Sequence, residues 1–177
     1  MRSAFSSVFL LVALVWVVSG CSSSKVNVNE TPESVGERFY ELLVSNDSEG
    51  LKELFPQAKD WESMAKITMV PENKMDEFKE DFMRRIEMTT TNEVSRFGIL
   101  QERVKTLGLD LAEAELDEVA KVREWMDEGL NLASVEIRFH IADDKHTIFL
   151  GNIGQLERGW FMNRVPNWKP GSKNEGN

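Results

Sequence analysis

The chain has 177 residues, of which 30 are acidic and 21 basic, and its formal net charge is −9 at pH 7. This charge repels nucleic acid and anionic lipid headgroups, so we expect no nucleic-acid partner. The densest basic pair, Arg84-Arg85, is flanked by Asp81 and Glu87 and forms no basic patch. Cys21 is the single cysteine, so no disulfide can form within the chain. The length is sufficient for one domain with its own core.

The first twenty residues have the order of a secretory signal. Arg2 is followed by an apolar run from Val8 to Val18 and then by Ser19 and Gly20. The run has about half of the roughly 20 residues that a membrane-spanning helix needs, so a permanent span is not expected. Without residues 1–20, which hold one basic and no acidic residue, the formal charge is −10.

The tetrad Val18-Ser19-Gly20-Cys21 resembles the bacterial lipobox, in which a branched apolar residue and two small residues precede an invariant cysteine. The resemblance implies cleavage between Gly20 and Cys21 and attachment of diacylglyceryl and a further acyl chain, such as palmitate, to Cys21. Several acyl chains anchor a protein stably, whereas one gives marginal binding. Ser22 then implies sorting to the outer membrane rather than the inner membrane, facing the periplasm. An ordinary secretion signal with a chance cysteine and a buried apolar helix are the alternatives.

Small and polar residues dominate the segment after Cys21 and predict a flexible tether. The tail is rich in Gly, Asn and charge and is expected to fray. The predicted organisation is a signal peptide at 1–20, the lipidated cysteine and tether at 21–30, one domain at 31–168, and a tail at 169–177.

The first predicted helix starts with Thr31 as its N-cap and Pro32 at the first helical position. Its apolar stripe, at i, i+4, i+7 and i+8, consists of Val35, Phe39, Leu42 and Leu43. Asn46-Asp47-Ser48 ends this helix. A second short helix carries Leu51, Leu54 and Phe55, and Pro56 stops it.

Residues 61–70 fit either a loop or a short helix, and Pro71-Glu72 predicts the start of a longer helix. Apolar residues keep helical spacing on both sides of a weak Thr89-Thr90-Thr91-Asn92 segment: Met75, Phe78, Phe82 and Ile86 before it, and Val94, Phe97, Leu100, Val104 and Leu107 after it. We expect one long helix that is broken or kinked near Thr91 and ends at Gly108 as a C-cap.

The last third of the chain has the two-residue period of β-strands. Val135, Ile137, Phe139 and Ile141 alternate with polar residues and predict a half-buried strand. A two-residue turn at Asp143-Asp144 pairs Ile141 with His146, Phe139 with Ile148 and Ile137 with Leu150, and so gathers the apolar residues on one face. A turn at residues 157–159 leads into a final strand at residues 160–165.

Residues 111–126 are the ambiguous segment. Their Ala and Glu content favours a helix, with Asp110 and Glu113 as a capping box. We prefer a strand from Glu115 to Trp125, because Asp127-Glu128-Gly129 can turn it back onto the next strand. A meander of three strands would cover the helices poorly.

Helices followed by a curled antiparallel meander resemble the small bacterial lipoproteins of the nuclear-transport-factor-two-like group. The matching segments are Pro32–Val35, Asn46–Leu51 and Leu156–Met162, with its Gly-Trp pair. The resemblance implies an α+β fold with a cone-like sheet and a pocket, which members use for catalysis, binding or dimerisation. Because so many functions share the fold, it supplies none by itself.

Few residues can carry catalysis. His140 and His146 are the only histidines, and the predicted register puts them on opposite faces, which excludes a shared metal site unless the loop has three residues. Enzymes of this fold group usually combine a buried carboxylate with a Tyr, and Tyr40 is the one tyrosine. Glu136 and Glu102 are more readily read as surface residues. We expect no cofactor, no metal and no enzymatic activity.

Aromatic residues are the better candidates for binding. Tyr40, Trp160 and Trp168 are the three that we select, although Trp160 opens a strand and fits a core position. Trp168 lies in a Pro-rich segment and either folds back onto the domain or is offered to a partner.

The preferred hypothesis is a membrane-anchored envelope lipoprotein with a non-catalytic domain that binds a protein or a small apolar ligand. The alternatives are a pocket enzyme that uses a buried carboxylate with Tyr40, and an assembly factor that oligomerises through the outer face of its sheet.

Overall fold

The computed structural model describes residues 29–168. Three helices, α1 (Pro32–Ser45), α2 (Trp61–Ile67) and α3 (Met75–Thr106), precede four strands, β1 (Ala114–Asp127), β2 (Leu130–Ile141), β3 (Asp144–Leu156) and β4 (Gly159–Phe161). Short 3₁₀ helices at Gly50–Leu54, Ala58–Asp60, Glu72–Lys74 and Leu111–Glu113 join them. The predictions for the lipobox with Gly20 and Cys21, for most of the tether and for the tail lie outside the described residues.

α1 begins as its sequence predicts. The Thr31 side chain accepts a hydrogen bond from the Ser34 backbone N–H, the Ser34 hydroxyl accepts one from the Thr31 N–H, and Pro32 is the first helical residue. This reciprocal cap satisfies two amides that the first turn leaves unpaired. The whole predicted stripe of α1 is buried. The short helix around Leu51 is also present, and residues 61–67 form α2 rather than a loop.

α3 is continuous over 32 residues, so the predicted break near Thr91 is wrong. Threonines lower helix stability by only tenths of a kcal/mol each, and packing on both sides outweighs that cost. The predicted end is confirmed, because Gly108 has φ 70° and Leu109 N–H donates to the Val104 carbonyl at 3.2 Å. Gly108 N–H also donates to the Lys105 carbonyl, and the two hydrogen bonds form a Schellman motif.

The strands form one antiparallel sheet in the order β1-β2-β3-β4, which is not closed. Residues 114–127 are a strand, as preferred, and Glu128-Gly129 forms its turn with both φ angles positive. β4 is shorter than predicted. Met162 N–H donates to the Leu54 carbonyl at 2.7 Å, which takes the chain out of the sheet after Phe161.

The register between β2 and β3 differs from the prediction by two residues. Ile141 pairs with Asp144, Phe139 with His146 and Ile137 with Ile148, because the turn residues are Ala142-Asp143. Ala142 adopts a φ of 51°, which a sequence-based assignment to Asp143-Asp144 does not anticipate. A shift of two keeps every side chain on its face, so the apolar face of β2 is as predicted.

α1 packs on the inner face of β1 and β2, and α3 packs on α1. Gly36 permits the first contact, since a Cβ there would lie 2.7 Å from Val119 Cγ1. Phe39 and Phe97 meet edge to face with ring centroids 6.0 Å apart. The fold is therefore α+β, with N-terminal helices on a C-terminal meander, and is compatible with a nuclear-transport-factor-two-like domain. None of the helices within residues 29–168 combines the length and the apolarity that crossing a bilayer requires.

Candidate functional site

The three aromatic residues selected from the sequence are buried. Tyr40, Trp160 and Trp168 expose 7%, 4% and 3% of their surface. Trp168 folds back onto the domain, with its ring centroid 5.4 Å from that of Phe139 and 5.7 Å from that of His146. Tyr40 and Trp168 belong to the core near the β2–β3 turn, whereas Trp160 lies opposite Gln155 at the other end of β3. The surface display predicted as one alternative for Trp168 does not occur.

Two polar atoms in this aromatic cluster have no hydrogen-bond partner among the described residues: Tyr40 Oη and His146 Nε2. Burial, helped by the charges of Glu115 and Asp117, raises the pKa of Tyr40. Burial lowers the pKa of His146 against the opposing charge of Asp144. At neutral pH the cluster therefore holds a neutral phenol and a neutral imidazole, and neither is bonded to a carboxylate.

The two histidines lie on opposite faces, as predicted, although their partners differ. His146 lies opposite Phe139 on the inner face, whereas His140 lies opposite Lys145 on the outer face. His140 Nδ1 is 2.8 Å from Asp117 Oδ1. Across residues 29–168, no group of three or more His, Cys, Asp or Glu side chains is arranged to hold a metal ion.

Among residues 29–168, two carboxylates are buried, and both are hydrogen-bonded to other parts of the fold. Asp60 Oδ2 accepts hydrogen bonds from Arg158 Nη2 and from the Gln57 N–H, each at 2.7 Å. Burial works to raise the pKa of Asp60, but the hydrogen bonds and the charge of Arg158 outweigh it and hold the pKa below its usual range. Glu93 accepts from Arg96 at 2.9 Å and from the Val165 N–H at 2.6 Å.

The carboxylates considered in the sequence are surface residues. Glu136 accepts a hydrogen bond from Arg138 at 2.7 Å, and Glu102 accepts one from Lys105 at 2.9 Å. Arg84 and Arg85 both pair with Asp81, which neutralises part of the basic pair. Asp60, Glu93, Glu136 and Glu102 therefore each accept hydrogen bonds from other groups of the fold.

One concavity of the described residues is an open groove of about 630 Å³ beside the middle of α3. We call it the α3 groove. One wall is the segment Pro56–Ala58, and the other is a face of α3 with Met83, Ile86 and Thr90. Three charged residues, Lys52, Arg84 and Glu87, also line the groove, and Lys52 and Arg84 pair with Glu49 and Asp81 respectively. Most of the exposed wall surface is nevertheless apolar.

A second, smaller groove of about 390 Å³ lies near the start of α3. Residues 68–71 and Phe78 line it, and Met69 in this wall is one of the most exposed apolar residues of the described chain. The segment between α2 and α3 thus also presents apolar surface to solvent.

Reasoning from the sequence missed the α3 groove. One signal was present: Met83 and Thr90 stand three residues before and four residues after Ile86 of the predicted stripe, and so widen its apolar face. The opposing wall could not be inferred, because Pro56–Ala58 approaches α3 only through tertiary packing. Comparisons of the chain with protein-family models, with curated proteins and with solved structures found no match.

Proposed function

We propose that this chain is a lipid-anchored lipoprotein of the bacterial envelope whose domain binds an apolar segment of a partner protein in the α3 groove. The anchoring part rests on Val18-Ser19-Gly20-Cys21 and on Ser22, which favours the outer membrane. The binding part rests on one observation, the open, largely apolar groove between Pro56–Ala58 and α3.

The contacts of the buried ionisable groups favour binding over catalysis. Asp60 and Glu93 hold structural hydrogen bonds, and neither has Tyr40 as its bonded partner. A general base requires a proton-accepting group within hydrogen-bond reach of the substrate. The wall surface of the α3 groove is mostly apolar, and Glu87 is the carboxylate among its lining residues.

The shape of the groove favours a protein segment as its occupant. Sites for small molecules usually enclose most of the ligand surface. The α3 groove is open along one side, and one of its walls is a helix face, as in grooves that receive an amphipathic helix. Met83 can adapt to different side chains, because a methionine is unbranched and flexible.

A photo-crosslinking amino acid at position 83 or 88 of the full chain, expressed in a bacterium that processes lipoproteins, tests the groove. Both positions hold exposed methionines on α3, 43% and 60% exposed, but only Met83 lines the groove. We expect one defined adduct from position 83, none from position 88, and loss of the adduct when Ile86→Glu puts a charge in the groove. Equal adducts from both positions, or none from position 83, would contradict the proposal.

A further inference from the structure

β1 is the long free edge of the sheet. It has 14 residues, pairs with β2 alone within residues 29–168, and contains no buried residue. Its outward backbone N–H and C=O groups can therefore accept another strand. The opposite edge differs, because β4 has three residues and the Asn29 carbonyl already accepts the Trp160 N–H at 2.7 Å.

Charged residues of both signs lie along β1. Glu115, Asp117 and Glu118 lie in the first half, and the second half holds Lys121 and Arg123 together with Glu124 and Asp127. Within residues 29–168 Arg123 forms no ion pair, and its guanidinium stacks 4.1 Å from the centroid of the Trp125 ring. Glu115 has one ionic contact, at 3.5 Å from His140 Nε2. Both side chains are thus free to meet a partner across the edge.

A second copy of β1 fits this edge. A two-fold axis normal to the sheet pairs the strand with itself in antiparallel sense and keeps each side chain on its own face. An axis through Val119 places Glu115 of one copy opposite Arg123 of the other. Both belong to the outer face, since Glu115 lies opposite His140 and Arg123 opposite Ser134 in the β1–β2 pair.

The same axis also pairs the neighbouring residues favourably. Leu116 faces Val122, and these side chains are 40% and 54% exposed in the single chain. Pairs of opposite charge and pairs of apolar side chains are the contacts that stabilise antiparallel strands. The two irregularities of β1, near Asp117 and Val122, lie on opposite sides of the axis.

Neighbouring registers are worse. An axis through Glu118 sets this carboxylate against itself, and like charges directly opposite one another are destabilising. An axis through Ala120 sets Leu116 against Glu124 and Val119 against Lys121. The axis at Val119 therefore avoids the like-charge contact at Glu118 and the contacts of Leu116 with Glu124 and of Val119 with Lys121.

We propose that two copies of this chain associate through their β1 edges, with the two-fold axis at Val119, to form one continuous eight-stranded sheet. The association does not depend on the α3 groove or on the lipid anchor, because neither contributes a residue to β1.

Charge reversal tests the register. The full chain, purified in mild detergent, is examined by sedimentation over a concentration series as the parent, as Glu115→Arg, as Arg123→Glu, and as an equimolar mixture of the two variants. Each variant alone sets like charges together twice, and we expect its dissociation constant to rise by about tenfold or more. The mixture restores both opposite-charge pairs, so we expect it to associate as a one-to-one dimer like the parent. Lys145→Glu, a reversal of charge at an exposed position at the start of β3, is the matched control and should behave like the parent.

A monomeric parent, variants that associate as the parent does, or a mixture that stays monomeric would each overturn the proposal. If circular dichroism shows that a variant does not fold, the test uses the parent alone, and its hydrogen exchange is measured over the same concentrations. Slower exchange of β1 amides at higher concentration supports the edge contact, whereas exchange that is independent of concentration, or slowed only elsewhere, overturns it.

Discussion

Arg158 donates two hydrogen bonds to the carboxylate of Asp60 across 98 residues of sequence. The pair ties the 3₁₀ helix before α2 to the turn between β3 and β4, and the Asp60 carboxylate is almost fully buried. Asp60→Asn removes the charge that holds Arg158, so we expect the free energy of unfolding to fall by about 2 kcal/mol. Denaturant unfolding measures the change. Glu157→Gln, which removes an exposed partner of Lys66, should leave stability unchanged, and an equal loss in both variants would contradict this account.

The same pair makes stability depend on pH. The pKa of Asp60 is lower in the folded chain than in the unfolded chain, so its contribution is present above the unfolded pKa and is lost as the pH falls through the folded value. We therefore expect the difference in stability between the parent and Asp60→Asn to be constant near neutral pH and to shrink below about pH 4. If the difference in the free energy of unfolding grew on acidification, folding would raise the pKa of Asp60 instead of lowering it, which would contradict this account.

Two helical glycines predict opposite effects of the same substitution. At Gly36 in α1 a new Cβ would lie 2.7 Å from Val119 and 3.1 Å from Val135, whereas at Gly98 in α3 it would meet no atom within 4 Å. Gly98→Ala should raise the free energy of unfolding by about 0.5–1 kcal/mol, because alanine favours a helix over glycine. Gly36→Ala should lower it by about 1–3 kcal/mol through overpacking. Thermal or urea unfolding distinguishes them, and stabilisation by Gly36→Ala would refute the close contact of α1 with the sheet.

The unbonded hydroxyl of Tyr40 predicts an unusual response to its removal. Tyr40→Phe keeps the ring on Phe139 and deletes a buried polar atom that has no partner in the described chain. We expect the free energy of unfolding to rise by about 1 kcal/mol. Where a tyrosine hydroxyl is hydrogen-bonded, the Tyr→Phe substitution usually lowers the free energy of unfolding. A comparable decrease here would mean that the Tyr40 hydroxyl is hydrogen-bonded in solution.

Trp168 shields His146 from solvent. Trp168→Ala should cost about 3 kcal/mol in stability and admit water to the imidazole, which moves the pKa of His146 upward toward the ordinary histidine value. Nuclear magnetic resonance titration of the imidazole protons measures the shift. Trp125→Ala, on the partly exposed strand β1, is the control and should leave the titration of His146 unchanged.

Local signals predicted most of the fold. Thr31-Pro32 marked the start of α1, Gly108 marked the end of α3, and alternation in β2 gave its inner face, because each depends on neighbouring residues alone. The break expected at Thr91 failed because tertiary packing outweighs weak local propensity. The β2–β3 register was missed by two residues because both registers bury the same face, so the hydrophobic pattern cannot separate them.

The candidate site was less predictable. Trp168 and Tyr40 were selected as aromatic residues, and tertiary packing buries both. The α3 groove depends on the approach of Pro56–Ala58 to residues 83–91, which no local pattern encodes. The opposite charges of Glu115 and Arg123 are visible in the sequence, but their pairing between two copies can be considered only once β1 is known to be an edge strand.

The measurement that tests the central claim most directly is the mass and membrane partition of the precursor and of its Cys21→Ala variant, expressed in a bacterium that processes lipoproteins. The account predicts that only the parent gains the mass of the acyl chains and stays with the membranes. If both products are soluble and cut at another position, the chain is a secreted protein and the anchoring part of the proposed function is wrong.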